Sequence, residues 1–368
     1  MKKRKKKNRY KMKKSVLVPI WLLGISVLLL LAGIYIEGFA DWYVSHIYSV
    51  LTGIIGRIFG LVPTSAAEIG LYILVIVLVL GFIYIVLSII HGAWNRYRTG
   101  KTIRVLFCVT AVLFFLYVIN CGINYHTTSF ANRSGIQPRE YTKEELEQTC
   151  MLLTEDVIKT ESKVQRDENR ELVFDKDIGK NAVRAMQNLG ETYKELKGYY
   201  PQPKRLLLPE FLSYQSLTGI YSPFTVEANY NSDMEEYNIP FTMCHELSHL
   251  KGFMQEQEAN FIAWLACSTS EMPQFQYSAA LSGWLYATNL LWEYDQNAYD
   301  RLYAMLPESA KKDLKENDTY WEKYDGKIAE VSNQINDAYL KTNGQKDGVK
   351  SYDKMVDMLV VYKLDKKQ

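Results

Sequence analysis

Within the segment FTMCHELSHLKGF, two histidines stand four residues apart with a glutamate directly after the first: His245-Glu246-Leu247-Ser248-His249. On a helix this spacing stacks the two imidazoles on one face, and Glu246 lies about 100° around the axis, near the same approach. Neutral imidazoles suit Zn2+, and a carboxylate beside them can take a proton from metal-activated water. The chain has only five His, so two of them at this spacing is not a matter of abundance. Phe241, Met243, Leu247 and Leu250 supply a packing face, and Gly252 is expected in the left-handed conformation that ends a helix. The chain then turns through Phe253 to Gln255 into a second helix from Glu256, which returns carboxylates toward the histidines.

Glu256 and Glu258 are both candidate third ligands, but two helical residues separate them by about 200°, so both cannot face one metal. Asn260 shares a face with Glu256 through i,i+4 spacing, where its amide oxygen can accept a proton from a liganding imidazole and fix the ring. Glu256 is therefore preferred, with Glu258 as the alternative. Three protein ligands leave a fourth position for water, and Glu246 is then the base. Tyr221, Tyr277 and Tyr286 are candidate contacts to a substrate or oxyanion, although among 27 Tyr each has packing as its ordinary role. The extended segment Thr225 to Tyr230 is either a strand that pairs with a substrate backbone or a plain sheet edge.

Three apolar runs must be placed before this site can be. Ser15 to Ile36 and Ile69 to Ile90 are each 22 residues without a charge, and Val105 to Ile123 is a third run of 19. At 1.5 Å per residue the longer runs reach roughly 33 Å, enough to cross a bilayer. The first is read as a retained anchor, because its apolar core exceeds a secretory signal and no small-x-small cleavage site follows. Residues 1–14 carry 10 Lys or Arg and no acid, leaving the remainder net −8. An acidic remainder argues against a nucleic-acid partner. The tail and the Arg96, Arg98, Lys101, Arg104 cluster fall on one side of the membrane, whereas the loop Glu37 to Glu68 holds only Arg57. This bias predicts a multi-pass protein of the cytoplasmic membrane, with its N-terminus inside and the chain beyond Ile123 outside. Leu51 to Pro63 is expected at the membrane interface or against the bundle, and Ser65 with Glu68 forms a candidate capping box for the second span.

The organisation is thus a basic tail (1–14), a three-helix membrane region (15–123) and an extracytoplasmic part (124–368). In the last, Thr142 with Glu145 predicts a capping box on a helix through Glu161, and Ile178 to Leu196 reads as another helix. Arg205 to Leu208, Gly219 to Thr225 and Val226 to Tyr230 read as extended, and Glu258 to Val361 as mostly helical with breaks near Pro273, Pro307 and Gly344 to Gly348. Cys121, Cys150, Cys244 and Cys267 are permitted to pair outside the cytoplasm, but their uneven spacing favours buried thiols.

The motif pair resembles the zincin metallopeptidases, in the branch where a later E-x-x-A-D/N helix supplies a glutamate ligand; here that segment is Glu256-Gln257-Glu258-Ala259-Asn260. Over nearly its whole length the chain also resembles a family of bacterial membrane proteins, domain of unknown function 3810. The resemblance lies in the three-span start, Gly122-Ile123-Asn124-Tyr125, Gly219 to Thr225, HELSH-x-x-GF-x-x-E-x-EANF from His245 to Phe261, Tyr277-Ser278, and Gly344 to Tyr352. It implies an α-helical membrane anchor with three spans plus an α-rich α+β, zincin-like extracytoplasmic domain, without naming a substrate. Two functions remain open: a membrane-anchored zinc metallopeptidase acting on an unidentified peptide or protein, and a non-catalytic, zinc-stabilised binding or assembly module. Glu246 separates them, because a structural zinc site needs ligands but no free carboxylate.

The charge bias makes a direct prediction. A reporter fused after Asn124 should lie outside the cytoplasmic membrane and one near Tyr97 inside. Protection of the Asn124 fusion from protease added to intact cells, with cleavage at Tyr97, reverses the assignment.

Overall fold

The computed structural model describes residues 14–168, 171–174 and 177–365; the basic tail ahead of Lys14 lies outside them. Three helices are long and apolar enough to cross a membrane: Val16–Tyr35, Ala66–Ile90 and Arg96–His126. The first of these lies in α1 (Lys14–Tyr35), and the short α2 (Phe39–Tyr43) and α3 (Ser49–Gly60) fill the connection to the second, α4 (Ala66–Ile90). The third begins as α5 (Arg96–Tyr117) and continues through one π turn and one 3-10 turn to His126. Asn95 starts it, its side chain accepting from the Tyr97 and Arg98 amides. Helix α1 packs on α5, while α4 presents apolar side chains such as Ile76, Leu80 and Tyr84 outward all round, as lipid-facing helices do.

The remaining chain is mostly helical. Helices α6 (Phe130–Ser134), α7 (Lys143–Glu161) and α8 (Ile178–Thr192) precede strand β1 (Lys204–Arg205), the short α9 (Glu210–Ser213), β2 (Gly219–Ser222) and β3 (Glu227–Tyr230). Then come α10 (Asn238–Leu250), α11 (Glu256–Ser268), α12 (Pro273–Tyr294), α13 (Gln296–Met305), α14 (Glu308–Tyr324), α15 (Lys327–Thr342) and α16 (Met355–Asp365). The breaks fall where the sequence puts them, with Pro273 at the first turn of α12, Pro307 capping α14 and Gly344 at φ +92° after α15. The Thr142–Glu145 capping box on α7 is present with both of its hydrogen bonds.

The sheet has the order β1-β3-β2, with β1 parallel and β2 antiparallel to β3. This corrects the reading of Thr225 to Tyr230 as the pairing edge. Thr225 and Val226 belong to the turn out of β2, Val226 at φ +54°, and β3 is paired on both sides. The edge strands are β1 and β2. Helix α10 runs through the centre of the core, with Ile239 to Leu250 all buried, packed by α11, α12, α8 and β3. Cys121, Cys150, Cys244 and Cys267 are all buried. Cys244 and Cys267 meet in this core, and burial pushes the Cys267 thiol well above its ordinary range.

The sheet is fastened to the second span by charge. Glu227, on β3, accepts from the Ala66 and Ala67 amides at 3.2 and 2.8 Å, at the start of α4, where unpaired N–H groups and the helix dipole favour an anion. Lys204 on β1 meets the same carboxylate at 2.5 Å and gives its other protons to the Phe59 and Thr64 carbonyls at 2.7 and 3.1 Å. Both side chains are buried. Ser65 caps α4 by accepting from the Glu68 amide, but the Glu68 carboxylate does not complete a capping box. It accepts instead from the Leu207 and Leu208 amides at 2.7 and 3.0 Å. Tyr43 donates to the Ile119 carbonyl at 2.8 Å, so the end of span one, the start of span two and the end of span three share one side with the helical domain.

Glu227→Gln should destabilise the protein by about 3–5 kcal/mol, because Lys204 stays charged and buried without its anion. Denaturation of the detergent-solubilised variant measures this, and a loss below about 0.5 kcal/mol would show that the ion pair is not what holds sheet to span.

Candidate metal centre

The two histidines of α10 stack as their spacing requires, with Nε2 atoms 3.0 Å apart. Glu256 comes to the same point from the first turn of α11, its Oε2 3.3 Å from His245 Nε2 and 3.5 Å from His249 Nε2. The turn between the helices sets this geometry. Gly252, at φ +98°, lets its own amide close on the His249 carbonyl at 2.9 Å and the Phe253 amide on the Ser248 carbonyl at 3.2 Å. The same turn aims the Phe253 carbonyl at His249 Nδ1, 2.8 Å away. A carbonyl can only accept, so Nδ1 carries a proton, and Nε2 is the nitrogen turned to the cluster. At the other helix, the Glu256 amide donates to Gln345 Oε1 at 3.2 Å, and Ser351 donates to that oxygen at 3.0 Å.

His245, His249 and Glu256 fit a metal by several observations. Their ligand atoms lie within 4.8 Å of one another. The buried Oε2 atoms of Glu256 and Glu246 have no hydrogen-bond partner. Among the described residues lining the surrounding cavity of about 740 Å³ there is no Lys or Arg, and Glu246 and Glu256 are the only acids. Two imidazole nitrogens and one carboxylate oxygen are a donor set zinc accepts. Burial works to raise the Glu256 carboxyl, but His249 and His245 outweigh it and hold it at about 2. Burial likewise opposes charge on His249, yet Glu256 beside it pushes the ring up to about 9. The Glu246 carboxyl is pushed up to about 7, chiefly by burial, against the pull of His245 and His249.

Glu258 turns away from the cluster. Its Oε1 accepts from the Phe130 amide at 2.6 Å, at the start of α6, and burial lifts it to about 7 against that bond. Asn260 does not orient an imidazole: its amide donates to the Tyr286 hydroxyl and the Tyr352 carbonyl, both at 3.3 Å, and the Phe253 carbonyl takes the orienting role. Tyr221 and Tyr286 line the cavity, and Tyr221 meets the Tyr48 hydroxyl and the Asn120 carbonyl, each at 3.1 Å. Tyr277 is elsewhere, buried against Asp313 at 2.5 Å and Arg166 at 3.4 Å, so a catalytic contact is corrected to a structural one.

Gly219 is a determinant that the motif alone does not reveal. A Cβ there would sit 2.5 Å from Glu246 Oε1, 2.8 Å from Thr242 Cγ2 and 2.9 Å from the Asn229 carbonyl. Only glycine lets β2 lie against the glutamate. Its signal was available as the first residue of the Gly219 to Thr225 segment, without a reason attached. A second acidic group, Glu171, Glu235 and Glu236, has metal-compatible spacing at half-buried positions. Lys312 neighbours it at 3.3 Å from Glu171, and burial raises Glu235 and Glu236 to about 7 and about 8.

These features define a membrane protein with a mostly helical domain, a small open sheet and a buried two-histidine, one-glutamate cluster. A family profile described as "Protein of unknown function (DUF3810)" matches residues 43–360, and the chain belongs to that family. No curated protein and no solved structure matches it.

Metal content should separate the two glutamates. Glu256→Gln is expected to lower zinc occupancy more than Glu258→Gln in equally folded preparations, and the reverse ranking would transfer the ligand role to Glu258. Gly219→Ala should cost about 1–3 kcal/mol through overpacking while leaving zinc content near wild type, since the clash falls on Glu246 and not on the ligands.

Proposed function

We propose that this chain is a membrane-tethered, zinc-dependent peptidase whose helical domain lies outside the cytoplasmic membrane. The observation that carries the reading is Glu246: a buried carboxylate with an unpartnered oxygen, beside the His245, His249 and Glu256 cluster and in the same cavity. A zinc ion bound by those three residues supplies a Lewis acid for a carbonyl and lowers the pKa of water. Glu246 takes the proton from the attacking water and passes it to the leaving amine. The free edge of β2, which lines the cavity from Gly219 to Tyr221, offers backbone groups to an extended peptide. A cavity without Lys or Arg disfavours acidic peptides.

A second reading has its own support. His245, Glu246, His249 and Glu256 are 8, 3, 8 and 7% exposed, so a zinc ion there would also act as a clip between α10 and α11. That is the character of a non-catalytic, zinc-stabilised binding or assembly module.

Glu246→Gln distinguishes them. It keeps size and all three ligands, so the protein should fold and retain its zinc while peptide cleavage falls roughly 10²–10⁴-fold. Cleavage of a broad peptide library by the detergent-solubilised chain, with zinc measured in the same samples, gives the comparison. Equal rates for wild type and the zinc-loaded variant refute the mechanism. An inactive, zinc-loaded wild type whose chelation unfolds the protein favours the module.

A further inference from the structure

Helix α15 carries an apolar strip that the domain does not cover. Ile328, Val331 and Ile335 follow three- and four-residue steps and are 60, 46 and 65% exposed, while Tyr339, a turn further on, packs on Tyr117 and Tyr125 and lines the metal cavity. Helix periodicity places the first three along one side. Glu330, Asp337 and Lys341 take the opposite side, Lys327 and Gln334 flank the strip beside Val331, and Asn333 and Asn336 line the metal cavity. Beside the strip runs a second groove, shared with Phe211 and Tyr214, and Leu207, Leu208 and Phe211 extend the exposed apolar surface past it.

Both ends of this surface are tied to membrane helices. At one end Glu68, in the first turn of α4, holds the Leu207 and Leu208 amides. At the other, Tyr117, the last residue of α5, donates to Asn343 Oδ1 at 2.5 Å, and Tyr125 donates to the Tyr339 hydroxyl at 3.3 Å. Helix α15, of 16 residues and roughly 24 Å, runs from the groove it shares with Phe211 and Tyr214, next to the Leu207–Leu208 segment, to the end of span three. Helix α3 repeats the arrangement between spans one and two. Thr52 and Gly56 face the domain, Gly56 lying under Tyr199 and Pro201, while Val50, Ile54, Ile58 and Leu61 are exposed. An apolar surface tied at both ends to the heads of apolar, outward-facing spans matches the bilayer interface better than a soluble partner.

We propose that the interfacial layer of the bilayer is what Ile328, Val331 and Ile335 rest on, together with Leu207, Leu208 and Phe211. Helix α15 is then the membrane-seated wall of the metal cavity, greasy side to lipid and asparagine side to the cluster. The seat does not depend on whether the cavity is catalytic.

Spin labelling tests it on the full chain in vesicles of phosphatidylethanolamine and phosphatidylglycerol. Cys108 is the one thiol that is not buried, so Cys108→Ser gives the background. Labels are then introduced by Ile328→Cys, Val331→Cys or Ile335→Cys, with Glu330→Cys, exposed on the opposite side, as reference. Oxygen concentrates in lipid and a nickel chelate in water. Strip labels relaxed several-fold more by oxygen than by the chelate, with the opposite order at residue 330, are the expected result. Strip labels as open to the chelate as residue 330 would overturn the seat. So would strip labels shielded from both reagents, with label–label broadening that marks a second copy of the chain.

Discussion

The buried ion pair between Lys204 and Glu227 is the joint on which the domain turns. A carboxylate in the core is costly unless its oxygens are fully used, and Glu227 spends them on an ammonium and two helix-start amides. The three partners belong to β1 and to the head of α4, so one charge fixes sheet and membrane helix together. Because β3 carries Glu227 and also packs on α10, the histidine helix inherits its position from the same joint. Lys204 draws in the α3 end through the Phe59 carbonyl, which explains why so short a connection between spans is ordered against the domain. Glu68, in the same first turn of α4, repeats the device, holding the loop that follows β1.

The metal cluster depends on a turn more than on its helices. Helix α10 would stack His245 and His249 anywhere, but a stacked pair can rotate about its side-chain bonds. The left-handed Gly252 brings the Phe253 carbonyl back onto His249 Nδ1, and this fixes both tautomer and ring plane. Gln345, arriving from the segment after α15, then pins the first amide of α11, so that Glu256 meets the ring nitrogens. The orienting contacts come from backbone and from a distant segment, which is why neighbouring residues in the motif did not disclose them.

What the sequence made legible follows from period and local chemistry. Three apolar runs, the Thr142–Glu145 cap, the proline breaks and the left-handed Gly252 all depend on residues close in the chain, and each is found where expected. Glu256 and Glu258 were separable by helix angle, and the structure turns one to the histidines and the other to Phe130. The readings that changed involve contacts across the fold. Asn260 has the right helical face, but Tyr286 and Tyr352 reach it first. Tyr277, a candidate contact to a substrate or oxyanion, has its hydroxyl committed to Asp313. The edge strand that lines the cavity is β2, and β3 is not an edge because β1, only two residues long, covers its other side. Glycine 219 marks the closest approach of strand to glutamate, and nothing local in the sequence says what lies opposite it.

The charge balance of the cavity gives the strongest physical reason to expect a cation. Glu246 and Glu256 are both buried, and no Lys or Arg among the described lining residues answers them. Burial works to raise both carboxyls: it prevails at Glu246, pushed up to about 7, while His249 and His245 outweigh it at Glu256 and hold that carboxyl at about 2. A divalent cation on His245, His249 and Glu256 changes the balance, because its second charge acts on Glu246 without a bond to it. With such an ion the two glutamates would take different parts, Glu256 holding it and Glu246 kept ionised by its field, and Gly219 is what allows β2 to close over Glu246 without displacing it.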